Sequence, residues 1–198
     1  MIIKEIIKNK SDYLIIIDDK EILVDENTIV KLNLYVNKEI DSNILDKLYN
    51  SYYYEKNYKL ALNYSLKYNK SKKGVYFYLI DKMVEPSIAY KICEELEEKK
   101  VINDYILAKN YLLTLINKCY GRYMIINKLK SIFIPDEVID DVINLINYED
   151  YYIAMNKYVD KNKFKYDKYQ FSLRKYKIYD DLKKRGYSSD DISNLSIE

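Results

Sequence analysis

Cations and aromatic rings are interleaved in one stretch near the carboxyl end, and residues of these two types can bind anions and flat ring systems. Between Lys161 and Arg185 there are ten basic residues and three acidic ones. Five rings lie among them: Tyr166, Tyr169, Phe171, Tyr176 and Tyr179. Basic side chains neutralise phosphates or acidic protein patches, and aromatic rings stack on unpaired bases. The stretch therefore indicates an anionic partner; the alternative is a solvated basic face over aromatic residues that pack the core.

The residue types that most enzymes need are scarce. The chain has no His, and its two cysteines, Cys93 and Cys119, are far apart and form neither a redox pair nor a metal-ligand cluster. Its three glycines form no phosphate-binding loop. Adjacent carboxylates such as Asp140 and Asp141 point in different directions on a helix. We predict a non-enzymatic protein without a metal or cofactor.

Composition gives broad limits on class and compartment. A chain of 198 residues can bury a core in one or two domains. Its 33 Lys and Arg nearly balance 31 Asp and Glu, for a formal charge of +2. The net charge therefore indicates no particular class of partner, and only clusters of like charge along the chain can do so. No apolar run reaches the roughly 20 residues of a membrane span, and no signal peptide pattern opens the chain. We expect a cytoplasmic monomer with no membrane partner.

The first fifty residues predict a small β-containing domain. Its β-branched runs are Ile2–Ile7, Tyr13–Ile17 and Glu21–Val24, separated by polar residues around Lys10 and Ser11 and around Asp18 to Lys20. We expect a three-stranded antiparallel meander. Asp25 or Asn27 can then cap a short helix that ends near Leu32.

The remaining chain predicts helices in a repeated order of three. Ala61, Ala108 and Ala154 lie 47 and 46 residues apart, and Leu79, Leu129 and Leu182 lie 50 and 53 apart. This register divides the chain into a domain over 1–50 and three-helix repeats over 51–100, 101–147 and 148–198. One such unit is too small to bury its own apolar face, so we expect the repeats to stack into an elongated, curved array. A single irregular helical bundle is the alternative.

Local signals mark where several helices begin. Pro86 suits a first helical turn, and Gly121 and Pro135 are expected to start the second and third helices of the middle repeat. Asn103 or Asp104 is expected to cap its first helix.

Three degenerate motifs spread over nearly the whole chain match one known family. They are Val101-Ile102-Asn103-Asp104-Tyr105 with Ala108 and Tyr111; Lys70-Ser71-x-x-Gly74-Val75 with Leu79, Lys82 and Val84; and Arg174-Lys175-x-Lys177-Ile178-Tyr179-x-x-Leu182 followed by Arg185-Gly186-Tyr187-Ser188. They resemble the motifs of the RecX family, bacterial modulators of the RecA recombinase. The sequence departs from that pattern at Gly74, where Glu is usual, and at Met83 and Phe133, where Gly often follows a helix. Since Gly there permits a left-handed backbone, the two larger residues predict a different helix ending.

The resemblance implies a function. It implies a protein that lies along the groove of the RecA filament and inhibits its growth and its recombinase, ATPase and coprotease activities. Direct DNA binding, to single strands or duplex, through the basic third repeat is the alternative, and a structural scaffold for another partner is the fallback. The candidate contacts for the recombinase or DNA are Lys168, Arg174, Lys175, Lys177, Lys184, Arg185, Lys70, Lys72, Lys73 and Arg122.

Overall fold

Apolar side chains recur at helical spacing through most of the chain, and the computed structural model is mainly helical with a small sheet near the amino end. The structure describes residues 1–9 and 12–195. This confirms the predicted fold class of helices preceded by a β-meander. None of the described helices is long and apolar enough to cross a membrane.

The sheet has three antiparallel strands in the order β1-β2-β3. They are β1 (Ile3–Asn9), β2 (Asp12–Ile17) and β3 (Lys20–Val24). Ile15 of the central strand pairs with Ile6 on one side and Ile22 on the other. Ile15 and Ile17 are buried because alternate residues of a strand face the same side of a sheet. The predicted polar separator at Lys10 and Ser11 lies outside the described residues.

Helices follow the sheet to the end of the described chain. Their bounds are α1 (Glu26–Lys31), α2 (Ser42–Tyr68), α3 (Lys72–Asp81), α4 (Pro86–Glu98), α5 (Asp104–Asn117), α6 (Arg122–Ser131), α7 (Asp136–Ile143), α8 (Tyr148–Lys161), α9 (Lys163–Tyr166), α10 (Phe171–Lys184) and α11 (Ser189–Ser193). Asp25 is the N-cap of α1, and its carboxylate accepts the Thr28 N–H at 2.9 Å.

Two compact units divide these elements. The first comprises Met1–Lys67 and Tyr76–Lys99, and its sheet packs with Leu34, Ile40, Leu45 and Leu48. The second comprises Tyr68–Val75 and Lys100–Glu198, and here α5 packs against α6, α7 and α8. Helix α2 is continuous across residues 50 and 51. The division into one domain and three repeats, and their array, remain predictions.

The residues that define the repeat register are all buried. Ala61, Ala108 and Ala154 lie in α2, α5 and α8, and Leu79, Leu129 and Leu182 lie in α3, α6 and α10. The small alanine side chain in each of α2, α5 and α8 allows another helix to approach closely. The leucine side chain in each of α3, α6 and α10 fills space in the core.

Predicted helix starts agree closely with the structure. Pro86 is the first residue of α4, while Gly121 and Pro135 are the N-caps of α6 and α7. The side chain of Asn103 caps α5 by accepting the Ile106 N–H at 2.9 Å.

The prediction of different helix endings at Met83 and Phe133 was wrong. Both adopt the left-handed backbone that Gly would supply, with φ of 61° and 64°. After Met83 the Val84 N–H reaches back to the Leu79 carbonyl at 3.0 Å, and the equivalent bond after Phe133 joins Ile134 to Leu129 at 3.2 Å. The helix-end hydrogen bonds and the burial of Val84 and Ile134 outweigh the cost of about 1–2 kcal/mol for a side chain in this conformation.

Candidate functional site

The basic carboxyl-terminal stretch begins at the last residue of α8 and includes the short helix α9 and the longer helix α10. Ile178 and Leu182 face the core of the second unit, and Tyr166 fixes α9 to the same core. Most of the cations are left at the surface. The chain folds in this way because apolar residues recur in α10 at a spacing of four, which buries one stripe and exposes the other faces.

Each of the three acidic residues in this stretch forms an ion pair with one of its basic residues. Asp167 pairs with Arg174 at 3.7 Å, Asp180 with Lys184 at 2.6 Å, and Asp181 with Lys165. Arg174 and Lys184 are two of the predicted contacts. Arg174 is half-buried, and its Nε has no hydrogen-bond partner among the described residues. The charge that α10 presents to a partner is therefore smaller than the count of basic residues suggests.

Lys168, Lys175 and Lys177 remain on this surface without an ion pair among the described residues. Lys168 and Lys175 are exposed, and Lys177 is half-buried. Two of them lie over aromatic rings: the Lys168 Nζ is 5.2 Å from the centre of Tyr169, and the Lys175 Nζ is 4.5 Å from that of Phe171. These two ammonium groups are therefore held close to aromatic rings rather than to carboxylates.

The guanidinium of Arg185 is bound within the second unit. Its Nε donates to the Cys119 carbonyl at 2.9 Å, and its Nη2 donates to the Lys118 carbonyl. It lies between the rings of Tyr120 and Tyr158, 4.5 and 4.2 Å from their centres. A cation is favourable at a helix carboxyl end, so Arg185 stabilises the end of α5.

Arg122 lies beside this point, at the first residue of α6, and is exposed. The backbone of its neighbour Gly121 donates to the Arg185 carbonyl at 2.9 Å. The structure thus brings Arg122 close to the end of α10.

Lys70, Lys72 and Lys73 lie around the first turn of α3, at the opposite end of α6. The buried Ser71 hydroxyl donates to the Ile132 carbonyl at 2.6 Å and accepts the Gly74 N–H at 3.2 Å. Helix α6 has ten residues, so this end is about 15 Å from Arg122 along its axis. The predicted contacts therefore form two separate groups rather than one patch.

Asp104 does not cap its own helix. It is the first residue of α5, and its Oδ1 accepts the backbone N–H of Lys72 at 2.8 Å. The carboxylate is buried at the amino end of α3, where its negative charge interacts favourably with the helix dipole. Asp104 therefore positions the segment that carries Lys70, Lys72 and Lys73.

Of the five rings predicted to stack, one is buried. Tyr166 is 1% exposed, and its hydroxyl donates to Asp181 at 2.8 Å. Burial, and then this hydrogen bond, raise the pKa of Tyr166 above its ordinary value. Burial also raises the pKa of Asp181, but hydrogen bonds from Lys165 and Tyr166 outweigh it and hold that pKa below its ordinary value.

Tyr176 and Tyr179 are exposed and line a groove between α10 and α11. The groove has a volume of about 380 Å³, and Lys175, Ile192, Ser193 and Leu195 complete its walls. Two rings and one ammonium group in a concave surface could hold a flat apolar group with an attached anion.

Sequence reasoning missed Phe164. Its side chain is 96% exposed on α9, between Lys163 and Lys165. The signal that could have found it is the pattern Lys-Phe-Lys-Tyr, since only one of two rings so close together on a short helix can face the core.

No protein-family model matches the chain. A regulatory protein RecX from Streptococcus uberis is 33% identical over the whole chain and 78% of its own length. The chain belongs to the RecX family. RecX proteins from Streptococcus mutans and Enterococcus faecalis are 30% and 23% identical, and the chain covers 78% and 74% of their lengths.

Solved RecX structures share the fold. A crystal structure of regulatory protein RecX superposes with a TM-score of 0.82 at 23% identity, over 98% of this chain and 97% of that one. RecX from Lactobacillus salivarius gives a TM-score of 0.66 at 25% identity, over 71% of this chain and 92% of that one. The family predicted from the three motifs is confirmed. The RecX relatives are named regulatory proteins. No group of three or more potential metal ligands occurs among the described residues.

Proposed function

We propose that this RecX-family chain is a non-enzymatic regulator that binds the RecA nucleoprotein filament. It inhibits growth of the filament and lowers its recombinase, ATPase and coprotease activities, and so modulates DNA repair and recombination in the cytoplasm. The observation that carries the proposal is the 33% identity to a RecX protein over the whole chain. The monomeric chain acts by contact and needs no cofactor.

Three lysines support a contact surface on α10 and on the turn that precedes it. Lys168, Lys175 and Lys177 have no ion pair among the described residues, so a partner's carboxylates or phosphates need not displace an existing bridge. We place Lys184 and Arg174, which are already paired, at the edge of the contact. Lys70, Lys72, Lys73 and Arg122 are the second group of candidates.

The test is ATP hydrolysis by RecA on single-stranded DNA with increasing amounts of this chain. Inhibition near one chain per filament protomer or below supports the proposal, and no inhibition at any concentration rejects it. A triple variant, Lys168→Gln with Lys175→Gln and Lys177→Gln, is expected to inhibit less. Its matched control replaces Lys20, Lys47 and Lys91 with Gln, because these exposed lysines of the first unit give the same loss of charge.

Direct binding to DNA is the second candidate function, and the groove beside Lys175 favours it. A base against Tyr176 and Tyr179 would place its phosphate near the lysine. The chain alone would then bind single-stranded DNA, with an affinity that falls as salt rises. The slope of this dependence should be shallower by about 0.7 for each lysine that no longer neutralises a phosphate, or by about 2 for the triple variant. Absent or salt-insensitive binding without RecA rejects this candidate.

A further inference from the structure

The side chain of Phe164 projects from the protein surface into solvent. Its side chain is 96% exposed, a larger fraction than for any other exposed large apolar residue among the described ones. A phenylalanine ring in water adds no hydrophobic free energy to folding, since its apolar surface stays hydrated in both the folded and unfolded states. Aromatic residues, Phe included, are enriched at the centres of protein–protein interfaces, where a polar rim surrounds them.

The backbone that carries Phe164 is held firmly. The side chain of Asn162 donates to the Tyr158 carbonyl at 2.7 Å, and the Asp167 N–H bonds the Lys163 carbonyl at 2.9 Å. Two residues after Phe164, the Tyr166 ring is buried in the core. The phenyl ring is therefore presented on a preorganised helix, and binding has to order little more than its two side-chain torsions.

The immediate neighbours of Phe164 in the sequence are both lysines, Lys163 and Lys165. Lys161 and Lys163 are exposed and have no ion pair among the described residues, whereas Lys165 binds Asp181. A partner surface that receives the ring therefore meets two uncompensated ammonium groups, which carboxylates around a pocket would complement.

A protein pocket fits these observations better than a nucleic-acid strand. Stacking platforms for single strands use successive rings for successive bases. Here the next ring, Tyr166, is buried, and Tyr169 and Phe171 each carry a lysine ammonium over one face. A single ring that is bare on every side buries the most surface when it enters a concave apolar pocket.

We propose that Phe164 is the anchor of the contact with the regulated protein, and that it enters an apolar pocket rimmed by carboxylates. This inference rests on the proposed function, in which the pocket belongs to the filament. Lys161 and Lys163 steer the approach and pair with the rim.

The test measures affinity for preassembled RecA filaments on single-stranded DNA, together with inhibition of their ATPase. Phe164→Ala should bind about 30-fold more weakly or worse, as removal of an interface hot spot does. Phe164→Leu should recover part of the affinity. The matched control is Leu113→Ala, because Leu113 is an exposed apolar residue of α5 outside this region, and it should bind like the wild type. Thermal unfolding of all three variants should match the wild type.

Several outcomes would overturn the inference. If the wild type inhibits the filament and Phe164→Ala binds equally well, the anchor is wrong while the proposed function stands. If the variant instead loses binding to naked single-stranded DNA, or to vesicles of phosphatidylserine and phosphatidylcholine, the ring contacts nucleic acid or lipid and the protein pocket is rejected. A wild type that neither binds nor inhibits the filament removes the proposed function and this inference with it.

Discussion

Gly121 and Gly186 lie backbone to backbone where the start of α6 meets the end of α10. The Tyr123 N–H donates to the Gly186 carbonyl at 3.1 Å, and Gly186 has a φ of +87°. A Cβ on Gly121 would lie 2.5 Å from the Gly186 carbonyl carbon and oxygen. Because no side chain fits between them, these two glycines allow helices 65 positions apart in sequence to share hydrogen bonds.

Gly121→Ala is expected to lower the free energy of unfolding by about 1–3 kcal/mol or more, because the added methyl group must displace backbone atoms. Gly74→Ala is the control. A Cβ at Gly74 meets only a side-chain oxygen at 3.1 Å as its nearest neighbour, and alanine favours the helix. Urea unfolding followed by circular dichroism measures both. Equal midpoints for the two variants would contradict the close approach.

Asp104→Ala is expected to cost about 1–2 kcal/mol of stability, because it removes the acceptor at the amino end of α3. Asp104→Asn keeps an acceptor and should cost less. The exposed Asp140 serves as the control, and its replacement by Ala should change stability by less than about 0.5 kcal/mol. Should Asp104→Ala match that control in denaturant unfolding, the capping role is rejected.

Arg185→Lys is expected to destabilise the protein by about 1–3 kcal/mol, since lysine cannot make both carbonyl bonds while lying between two rings. Lys184→Gln should change stability by less than about 1 kcal/mol, because the Lys184–Asp180 pair is exposed. The thermal midpoint compares the two. A wild-type midpoint for Arg185→Lys together with weaker filament binding would assign Arg185 to the partner surface instead.

Removing the hydroxyl of Tyr166 and removing that of Tyr187 are expected to have different effects on the stability of the protein. Tyr166→Phe loses a hydrogen bond to a carboxylate and should cost about 1.5–3 kcal/mol. The Tyr187 hydroxyl is buried with no hydrogen-bond partner among the described residues, and burial raises its pKa. Tyr187→Phe should therefore leave stability unchanged or raise it slightly. Chemical unfolding of both single variants checks the pair, and a cost for Tyr187→Phe as large as that for Tyr166→Phe would contradict the assignment.

The lowered pKa of Asp181 predicts that the protein loses stability at acid pH. Its pKa in the folded protein lies below the ordinary value of about 3.9, despite the opposing effect of burial. Its contribution is therefore fully present above that ordinary value and is lost as the pH falls through the folded pKa. Asp181→Asn should be less stable than the wild type at neutral pH, and the difference should shrink below about pH 4. Urea unfolding between pH 7 and pH 2.5 measures this, and a constant difference would exclude ionisation as the cause.

Much of the fold could be predicted from local patterns. Periodicity and turn residues predicted the three strands, the starts of α4, α6 and α7, and the burial of the repeated Ala and Leu positions. The prediction for Met83 and Phe133 failed because their left-handed conformation is stabilised by the packing of Val84 and Ile134, which a local cost for a side chain does not include.

The candidate site was less predictable. Counting charges identified the basic stretch, but it could not separate Lys175, which is exposed without an ion pair among the described residues, from Arg185, which binds carbonyls more than 60 residues away. Nor could it show which ring of Lys-Phe-Lys-Tyr faces the core, because one helical turn has too little periodicity to define a face.

Local sequence patterns were sufficient to predict the family, the helical class with its small sheet, and the surplus of positive charge near the carboxyl end. These depend on spacing and composition, which are local properties of the chain. Long-range contacts in the folded protein were needed to show that Asp104 caps α3 rather than α5, that Arg185 supports the end of α5, and that Phe164 points outward while Tyr166 is buried. Hydrogen bonds and packing between residues distant in sequence, rather than local propensity, determine where each of these side chains lies.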